Sequence, residues 1–440
     1  MVIKMQRKVY EKLLKWKNKE ERKPLMFFGA RQIGKTYIID EFCKNEFKNY
    51  SKLNLMEDEN IVFTYKEPQN ADKKYNYLLS YAGIVKEDKN TVLFIDEIQE
   101  SPELISALKY ICENHPNLRI IVAGSLLEIA LKRSKKSFPV GKVEMLTMYQ
   151  MDFEEYLMAF GEYLLIEKIK ECYKNNTPMQ EPYHNTALNY YYLYLFTGGM
   201  PEGVKDIVEN NMNASAFDDS KLDGILKSYF EDMYKYVDNR SDTIKMEAIY
   251  KTIPNQLGND SHKFQYKNIS DNARKRDFEV PLFWLLSAKI VHSTSNVKLP
   301  EIPLIAFADF DKFKLYMNDV GLLRKMSNIS YRDIVASENN IYKRIMAENY
   351  VANHLIANGI ENLYYYKNEQ STMEIDFLLQ TEDGIIPVEV KSAENTQAKS
   401  LKSYINKFNP KYSIRISTKN SGFVNNIKSV PLYAVYCIKK

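Results

Sequence analysis

The eight residues GARQIGKT, Gly29 to Thr36, constrain this chain more than any other stretch. They fit the pattern G-x-x-x-x-G-K-[ST], preceded by an apolar run, PLMFF, and followed by a helix-like one, KTYIIDEFCKNEF. Gly29 and Gly34 let the backbone curl so that successive N–H groups point inward, with Ala30, Arg31, Gln32 and Ile33 forming the cradle between them. The positive end of the next helix faces the same spot, which suits a phosphate. Lys35 then reaches the β- and γ-phosphates, and Thr36 offers a hydroxyl to Mg²⁺. The competing reading is a chance loop between a strand and a helix. The flanking elements supply the context this motif requires, so ATP and Mg²⁺ are the expected cofactors.

Two more short apolar runs follow, TVLFIDEI (91–98) and LRIIVAGS (118–125), separated by helix-period segments such as PELISALKYICENH. Uniformly apolar strands alternating with helices predict a parallel sheet covered on both faces. The fold class is therefore α/β. In VLFIDEIQ the acids Asp96 and Glu97 come directly after the apolar stretch. In P-loop NTPases the acid at that strand end holds Mg²⁺, the role expected of Asp96. Glu97 is the candidate that orients and deprotonates the attacking water. An acidic helix cap after a buried strand is the plainer alternative. Ser125, ending the third run, is either a turn residue or a sensor of the γ-phosphate and its water.

From residue 151 the texture turns helical, as in DFEEYLMAFGEYLLIEKIKECY, with a turn at GGMP (198–201). Four parts are expected: an ATPase domain at 1–150, a helical lid region at 151–240, a winged-helix-like module at 241–335 and a second α/β domain at 336–440. The helical pattern of the third part is read as extending through FWLLSAKIVHSTS and KLYMNDVGLL. In the last, a long helix, IYKRIMAENYVANHLIAN, precedes the strands ENLYYYKN, MEIDFLLQ, GIIPVEVKS and YSIRISTK.

Between the first two parts lies KRSKKSFPVGK, with Lys132, Arg133, Lys135, Lys136 and Lys142 close together. Three readings stay open: a solvated face, a cation for a neighbouring subunit's γ-phosphate, or contacts to nucleic-acid phosphates. The second makes Lys142 and Arg133 candidate trans residues and implies a homo-oligomer.

Several segments together resemble one family: Gly29–Thr36, VLFIDEIQESPELISALK, AGSLLEIAL, FPVGKVEMLTMYQMDFEEYL, GGMPE and KSYFEDMYKYVD. It is the prokaryotic AAA-type ATPases joined to a C-terminal domain of unknown function with a restriction-endonuclease-like core. The resemblance spans nearly the whole chain and implies that fold for residues 336–440. Relatives usually carry Gly-Arg where this chain has Gly141-Lys142, and a lysine does not replace an arginine for bidentate phosphate contact. Arg133 is the possible substitute.

In the C-terminal strands Asp376 follows Glu374 by two residues, and Glu389-Val390-Lys391 comes thirteen positions later. Side chains alternate along a strand, so Glu389 and Lys391 share a face. Asp376 and Glu389, with Glu348 from the preceding helix, form a candidate Mg²⁺ set, since that ion prefers carboxylate oxygen and water. Lys391 would help position a hydrolytic water. The competing reading of GIIPVEVKS is an edge strand with two outward charges.

The remaining candidates are weaker. His115, His184, His262, His292 and His354 lack metal-like spacing. The tyrosine-rich YYYLYLF (190–196) is either a buried helix face or a base-stacking surface. Arg274, Lys275 and Arg276 are either a solvated helix end or contacts to a DNA backbone. A net charge of +4 is too mild to indicate a nucleic-acid partner by itself. Four separated cysteines argue against zinc and fit a reducing cytoplasm. No export signal is visible, and the longest apolar run, PLFWLLSAKIV, is too short to span a membrane.

Three functional readings follow. One is an ATPase that couples hydrolysis to nucleic-acid handling, with nuclease activity left open. Another is a nucleotide-controlled switch or scaffold binding protein partners, its nuclease-like domain silent. The third is mainly a metal-dependent nuclease gated by ATP.

Overall fold

The computed structural model describes residues 5–67, 70–129, 139, 141–237, 239–259, 263–336, 341–368, 373–392 and 399–439. The chain divides into two compact units, residues 6–149 and residues 150–440, with the short segment 287–289 counted to the first.

The first unit opens with helix α1 (Val9–Lys17), strand β1 (Leu25–Phe28) and helix α2 (Lys35–Glu46). It continues through β2 (Asn49–Asn54), α3 (Glu59–Lys66), α4 (Ala71–Tyr81), β3 (Thr91–Asp96), α5 (Pro102–Asn114), β4 (Arg119–Ala123) and β5 (Glu144–Thr147). The sheet order is β2-β3-β4-β1-β5, all parallel. Every residue of β1, β3 and β4 is buried, whereas β2 and β5 are mixed. Interior strands covered on two faces need unbroken apolar runs; edge strands do not. That difference explains why β1, β3 and β4 were readable from hydrophobicity while NYSKLN and EMLT were not. One face packs Met26, Phe28, Leu93, Ile95, Ile120 and Val122 against Leu104 and Leu108 of α5.

In a parallel sheet all strand C-termini share one edge. The loop after β1, Asp96 at the end of β3, and Ser125 just past β4 therefore lie at the same edge, on three neighbouring strands.

The second unit begins with helices α6 (Phe153–Ala159), α7 (Tyr163–Asn175), α8 (Glu181–Thr197), α9 (Pro201–Glu209), α10 (Ser220–Lys235), α11 (Arg240–Gly258) and α12 (Glu279–Ser287). Strands β6 (Val291–Val297) and β7 (Ala308–Met317) form an antiparallel hairpin, followed by α13 (Val320–Met326), α14 (Tyr331–Val335) and α15 (Ile341–Ala357). Then come β8 (Leu363–Lys367), β9 (Glu374–Thr381), β10 (Gly384–Val390), α16 (Lys399–Phe408), β11 (Ser413–Ser417), β12 (Gly422–Val424) and β13 (Ile427–Pro431).

All eight strands build one sheet in the order β12-β13-β11-β10-β9-β8-β6-β7. Two expectations need correction here. The stretches VHSTSNV and KLYM, read as parts of a helical pattern, are strands. In β6, Thr294 is buried beside Ser293 and Ser295, which are only partly so, a period of two that suits β-branched residues. The division expected at 335/336 also runs through a single sheet, because β6 pairs in parallel with β8 through Thr294–Leu363 and its neighbours. Nor is GIIPVEVKS an edge strand: β10 lies between β9 and β11. Its Pro387, a residue usually confined to edges, precedes the stretch 388–390 that pairs with β11, so no bond on that side lacks a donor.

Three tyrosines of α8 are core residues: Tyr190, Tyr191 and Tyr194 are buried, and Tyr191 and Tyr194 meet the ring of Tyr350 edge-on, while Tyr192 is half-buried. This is the buried-face reading of YYYLYLF. Among the described residues no helix is long and apolar enough to cross a membrane.

Candidate nucleotide site and carboxylate cluster

The loop after β1 is shaped by three left-handed residues, Gln32 (φ 63°), Gly34 (φ 88°) and Gly29 (φ 146°). A side chain at Gly29 would strike the carbonyl oxygen of Met148. Gly34 is the residue before the first turn of α2, so the helix N-terminus opens directly into the loop. Lys35 is buried, and its ammonium donates to the carbonyls of Gly29 (2.9 Å) and Ala30 (2.7 Å). A phosphate bound here replaces weak neutral acceptors with charged ones, which are roughly twice as strong.

Thr36 Oγ1 donates to Asp96 Oδ2 at 2.7 Å, joining the start of α2 to the end of β3. Burial pushes the Asp96 carboxyl above the usual carboxylate range, while the Thr36 hydroxyl bond opposes that shift. A hydroxyl and a carboxylate side by side form an oxygen-only donor pair, the kind Mg²⁺ takes together with phosphate and water. Thr36 and Asp96 therefore fit the ion.

Glu97 sits in the left-handed region (φ 52°), rare for a glutamate and a mark of a constrained site. Its Oε2 accepts from Gln99 Nε2 at 2.5 Å. Gln99 is itself buried, and its carboxamide occupies the space that a side chain at Gly124 would need. Gln99 was not singled out in the sequence, because a glutamine two residues past an acid has no motif value. Arg7 was missed for the same reason. Its buried guanidinium donates to the carbonyl of Ile33, inside the loop, at 2.8 Å and to that of Tyr149 at 2.6 Å.

Lys142 stands elsewhere. It precedes β5, whose first residue, Glu144, is in register with Leu25 at the start of β1, so Lys142 lies at the opposite edge from the phosphate loop. It pairs with Glu113 at 2.9 Å. The structure therefore does not bring Lys142 to its own chain's loop. Arg133, with Lys132, Lys135, Lys136 and His262, lies outside the described residues.

Residues 21–157 match the family model of an AAA domain. Motif, sheet order and family match agree on an AAA-type ATPase domain. Residues 188–333 and 344–435 match two domains of unknown function (DUF8612 and DUF4143). No curated protein matches the chain. Among solved structures, the Walker-type ATPase of Pyrococcus abyssi is 14% identical with a TM-score of 0.46, covering 74% of this chain and 96% of its own. The ORC2 protein of Aeropyrum pernix is 12% identical with a TM-score of 0.35, over 73% and 90%. The RuvB Holliday junction branch migration motor of Thermotoga maritima is 13% identical with a TM-score of 0.31, over 65% and 89%. Similarities of this size bear on neither partner nor activity.

In the second unit the expected residues do come together. Asp376 Oδ2 accepts the backbone N–H of Val390 at 2.7 Å, and Lys391 Nζ lies 2.6 Å from Glu389 Oε1. Glu389, expected on the face of an outward charge, is buried. Burial raises its carboxyl above the ordinary range, although Lys391 opposes the shift. Burial, then the neighbouring Glu348 and Glu389 carboxylates, raise Asp376 further still.

Of the expected set Glu348, Asp376 and Glu389, two are paired with lysines: Glu348 with Lys314 and Glu389 with Lys391. Among the described residues no group of three or more His, Cys, Asp or Glu is arranged to hold a metal ion. Lys314 stands on β7, and its side chain is fully buried. Its ammonium lies 2.7 Å from Glu348 Oε1 and 3.0 Å from Glu374 Oε1. Tyr316, two residues on and on the same strand face, donates to Glu348 Oε1 at 2.6 Å. Burial alone would lower the lysine's affinity for its proton; Glu348, Tyr316, Glu374 and Asp376 together outweigh that and hold it well above its ordinary value. Glu374, raised by burial, is drawn down to about 2 by Lys314 and by Lys367, which lies 2.6 Å away.

Two of the histidines tie the second unit together. His354 Nε2 accepts the backbone N–H of Phe153 at 2.9 Å, and His184 Nδ1 bonds the Tyr433 hydroxyl at 2.7 Å. Lys275 pairs with Asp311, and Arg274 and Arg276 are exposed.

Proposed function

We propose that this protein is a Mg²⁺-dependent ATPase whose hydrolysis cycle is coupled to nucleic-acid handling through a nuclease-like C-terminal domain. The observation that carries the ATPase part is the joined series Thr36, Asp96, Glu97 and Gln99 at the mouth of the phosphate loop. The loop amides of Gly29–Thr36 and Lys35 bind the phosphates. Thr36 and Asp96 would hold Mg²⁺, which neutralises phosphate charge when bound. Glu97, aimed by Gln99, takes a proton from the attacking water. Ser125, just past the intervening strand, would bond that water or the γ-phosphate. Lys142 lies away from its own loop and pairs with Glu113, so any role on a nucleotide would be on another copy's, with Arg133 as the alternative trans residue, and would require a homo-oligomer.

A second reading keeps the ATPase and makes the C-terminal domain a silent scaffold that binds protein partners under nucleotide control. The buried Lys314 among the carboxylates favours it.

ATP turnover with and without DNA or RNA tests both. Wild type should hydrolyse ATP, and Glu97→Gln should lose about a hundredfold in kcat while still binding ATP, the usual size of a general-base contribution. Turnover that does not respond to nucleic acid leaves the scaffold reading in place and removes the first.

A further inference from the structure

The second unit holds an unusual concentration of buried charge that the ATPase part does not use. Carboxylates from α15 (Glu348), β9 (Glu374, Asp376) and β10 (Glu389) lie close together, and Lys314 of β7 reaches two of them. A cluster of this kind must find positive charge, because unpaired buried carboxylates are costly. In a metal-dependent nuclease a divalent ion provides it. Here three lysines divide the work: Lys391 on Glu389, Lys367 on Glu374, and Lys314 on Glu348 and Glu374 together.

We infer that Lys314 is the resident cation of this cluster, taking the place a divalent metal would have, so that the domain binds none there. Three observations support it. The Lys314 side chain has no exposure, so its charge was moved wholly out of water and is retained only by these acids. Its Nζ lies over the ring of Tyr365, 5.0 Å from the ring centroid, a cation–π contact that helps hold the ammonium in place. Tyr316 spends its hydroxyl on the same Glu348 oxygen, leaving that atom doubly donated and a poor metal ligand. The inference rests on the nuclease-like reading only in asking what stands in for a metal, and it sides with the silent-domain form of it.

The test uses the full chain without nucleotide, on an Asp96→Asn background, so that the phosphate loop contributes no metal site. Calorimetric titration with MnCl₂ and MgCl₂, and melting with and without each, are compared for three proteins. The Asp96→Asn protein should show no saturable binding and no shift in Tm. Adding Lys314→Met, which keeps the length of the stem and removes the charge, should create Mn²⁺ binding about tenfold or more above that baseline, with a raised Tm. Adding Asp376→Asn to that variant should abolish the gain. Saturable Mn²⁺ binding by the Asp96→Asn protein, lost with Asp376→Asn, overturns the inference. So does a folded Lys314→Met variant that binds no metal. Should Lys314→Met fail to fold, Lys314→Arg keeps the charge and must behave as its parent; metal binding by that variant would also overturn it. ATP turnover enters none of these arms, so failure of the ATPase proposal reads out separately.

Discussion

Arg7 and Gln99 show how much of a nucleotide site lies outside its motif. The guanidinium of Arg7 bonds the carbonyl of Ile33 and so fixes the curl between two glycines whose own flexibility would otherwise let it relax. Charge-assisted bonds of this kind contribute about 1.5–3 kcal/mol each. Arg7→Ala should therefore weaken ATP-analogue binding about tenfold or more with a smaller change in kcat. Arg7→Lys should recover only part, since an ammonium lacks the rigid planar fork by which Nη1 and Nη2 reach the carbonyls of Ile33 and Tyr149 separately. Calorimetry with a non-hydrolysable analogue checks this, and unchanged affinity would remove Arg7 from the site. Gln99 predicts the opposite split. Gln99→Ala frees the Glu97 carboxyl it orients, so kcat should fall about tenfold while nucleotide affinity stays as it was. Lys35→Ala should abolish or severely weaken binding itself, because it removes the charge that the phosphates meet.

At the scale of elements, the legible parts were those in which local sequence and tertiary role coincide. GARQIGKT, VLFIDEIQ and the three buried strands were readable because their chemistry is contiguous. The β6–β7 hairpin was not, because VHSTSNV has polar residues on both faces and its pairing with β8 joins residues about seventy apart in sequence. Lys314 was illegible for a related reason: a lysine in KFKLYM looks solvated until strands from elsewhere enclose it. The carboxylates Asp376 and Glu389 were found, and their neighbour decided what they do.

The join between α13 and the turn after α8 offers a test at this scale. Asp319 caps α13 through Leu322 N–H (3.0 Å) and also accepts Gly199 N–H (2.8 Å). Next to it, a methyl at Gly321 would lie 2.5 Å from the carbonyl oxygen of Thr197 and 2.6 Å from the nitrogen of Gly198, both backbone atoms. In an open helix Gly→Ala stabilises by about 1 kcal/mol. Here overpacking should reverse the sign, and Gly321→Ala should destabilise the protein by about 1–3 kcal/mol. Denaturant unfolding measures it, and a stabilised variant would show that the turn yields.

For the whole molecule, the question is whether nucleotide bound in residues 6–149 is felt by residues 150–440. Each unit has its own sheet, so two unfolding transitions are expected in calorimetry. Ligand that binds only the folded first unit stabilises it by RT ln(1 + [L]/Kd), about 2.7 kcal/mol at a hundredfold excess over Kd. If ATP turnover controls the second unit, as both functional readings require, the coupling has to appear in that unit's stability as well. Coupling energies between sites are typically about 1–3 kcal/mol, and for a unit of this size each kcal/mol moves Tm by about 2 °C. Mg²⁺ with a non-hydrolysable ATP analogue should therefore shift both transitions, the second by a few degrees, and Lys35→Ala should shift neither. Because coupling between binding equilibria is reciprocal, a partner or nucleic acid that binds residues 150–440 must then alter analogue affinity by the same factor. A second transition that stays fixed while the first climbs would mean that the nucleotide stabilises only its own sheet, and neither the nucleic-acid nor the switch reading would survive that result.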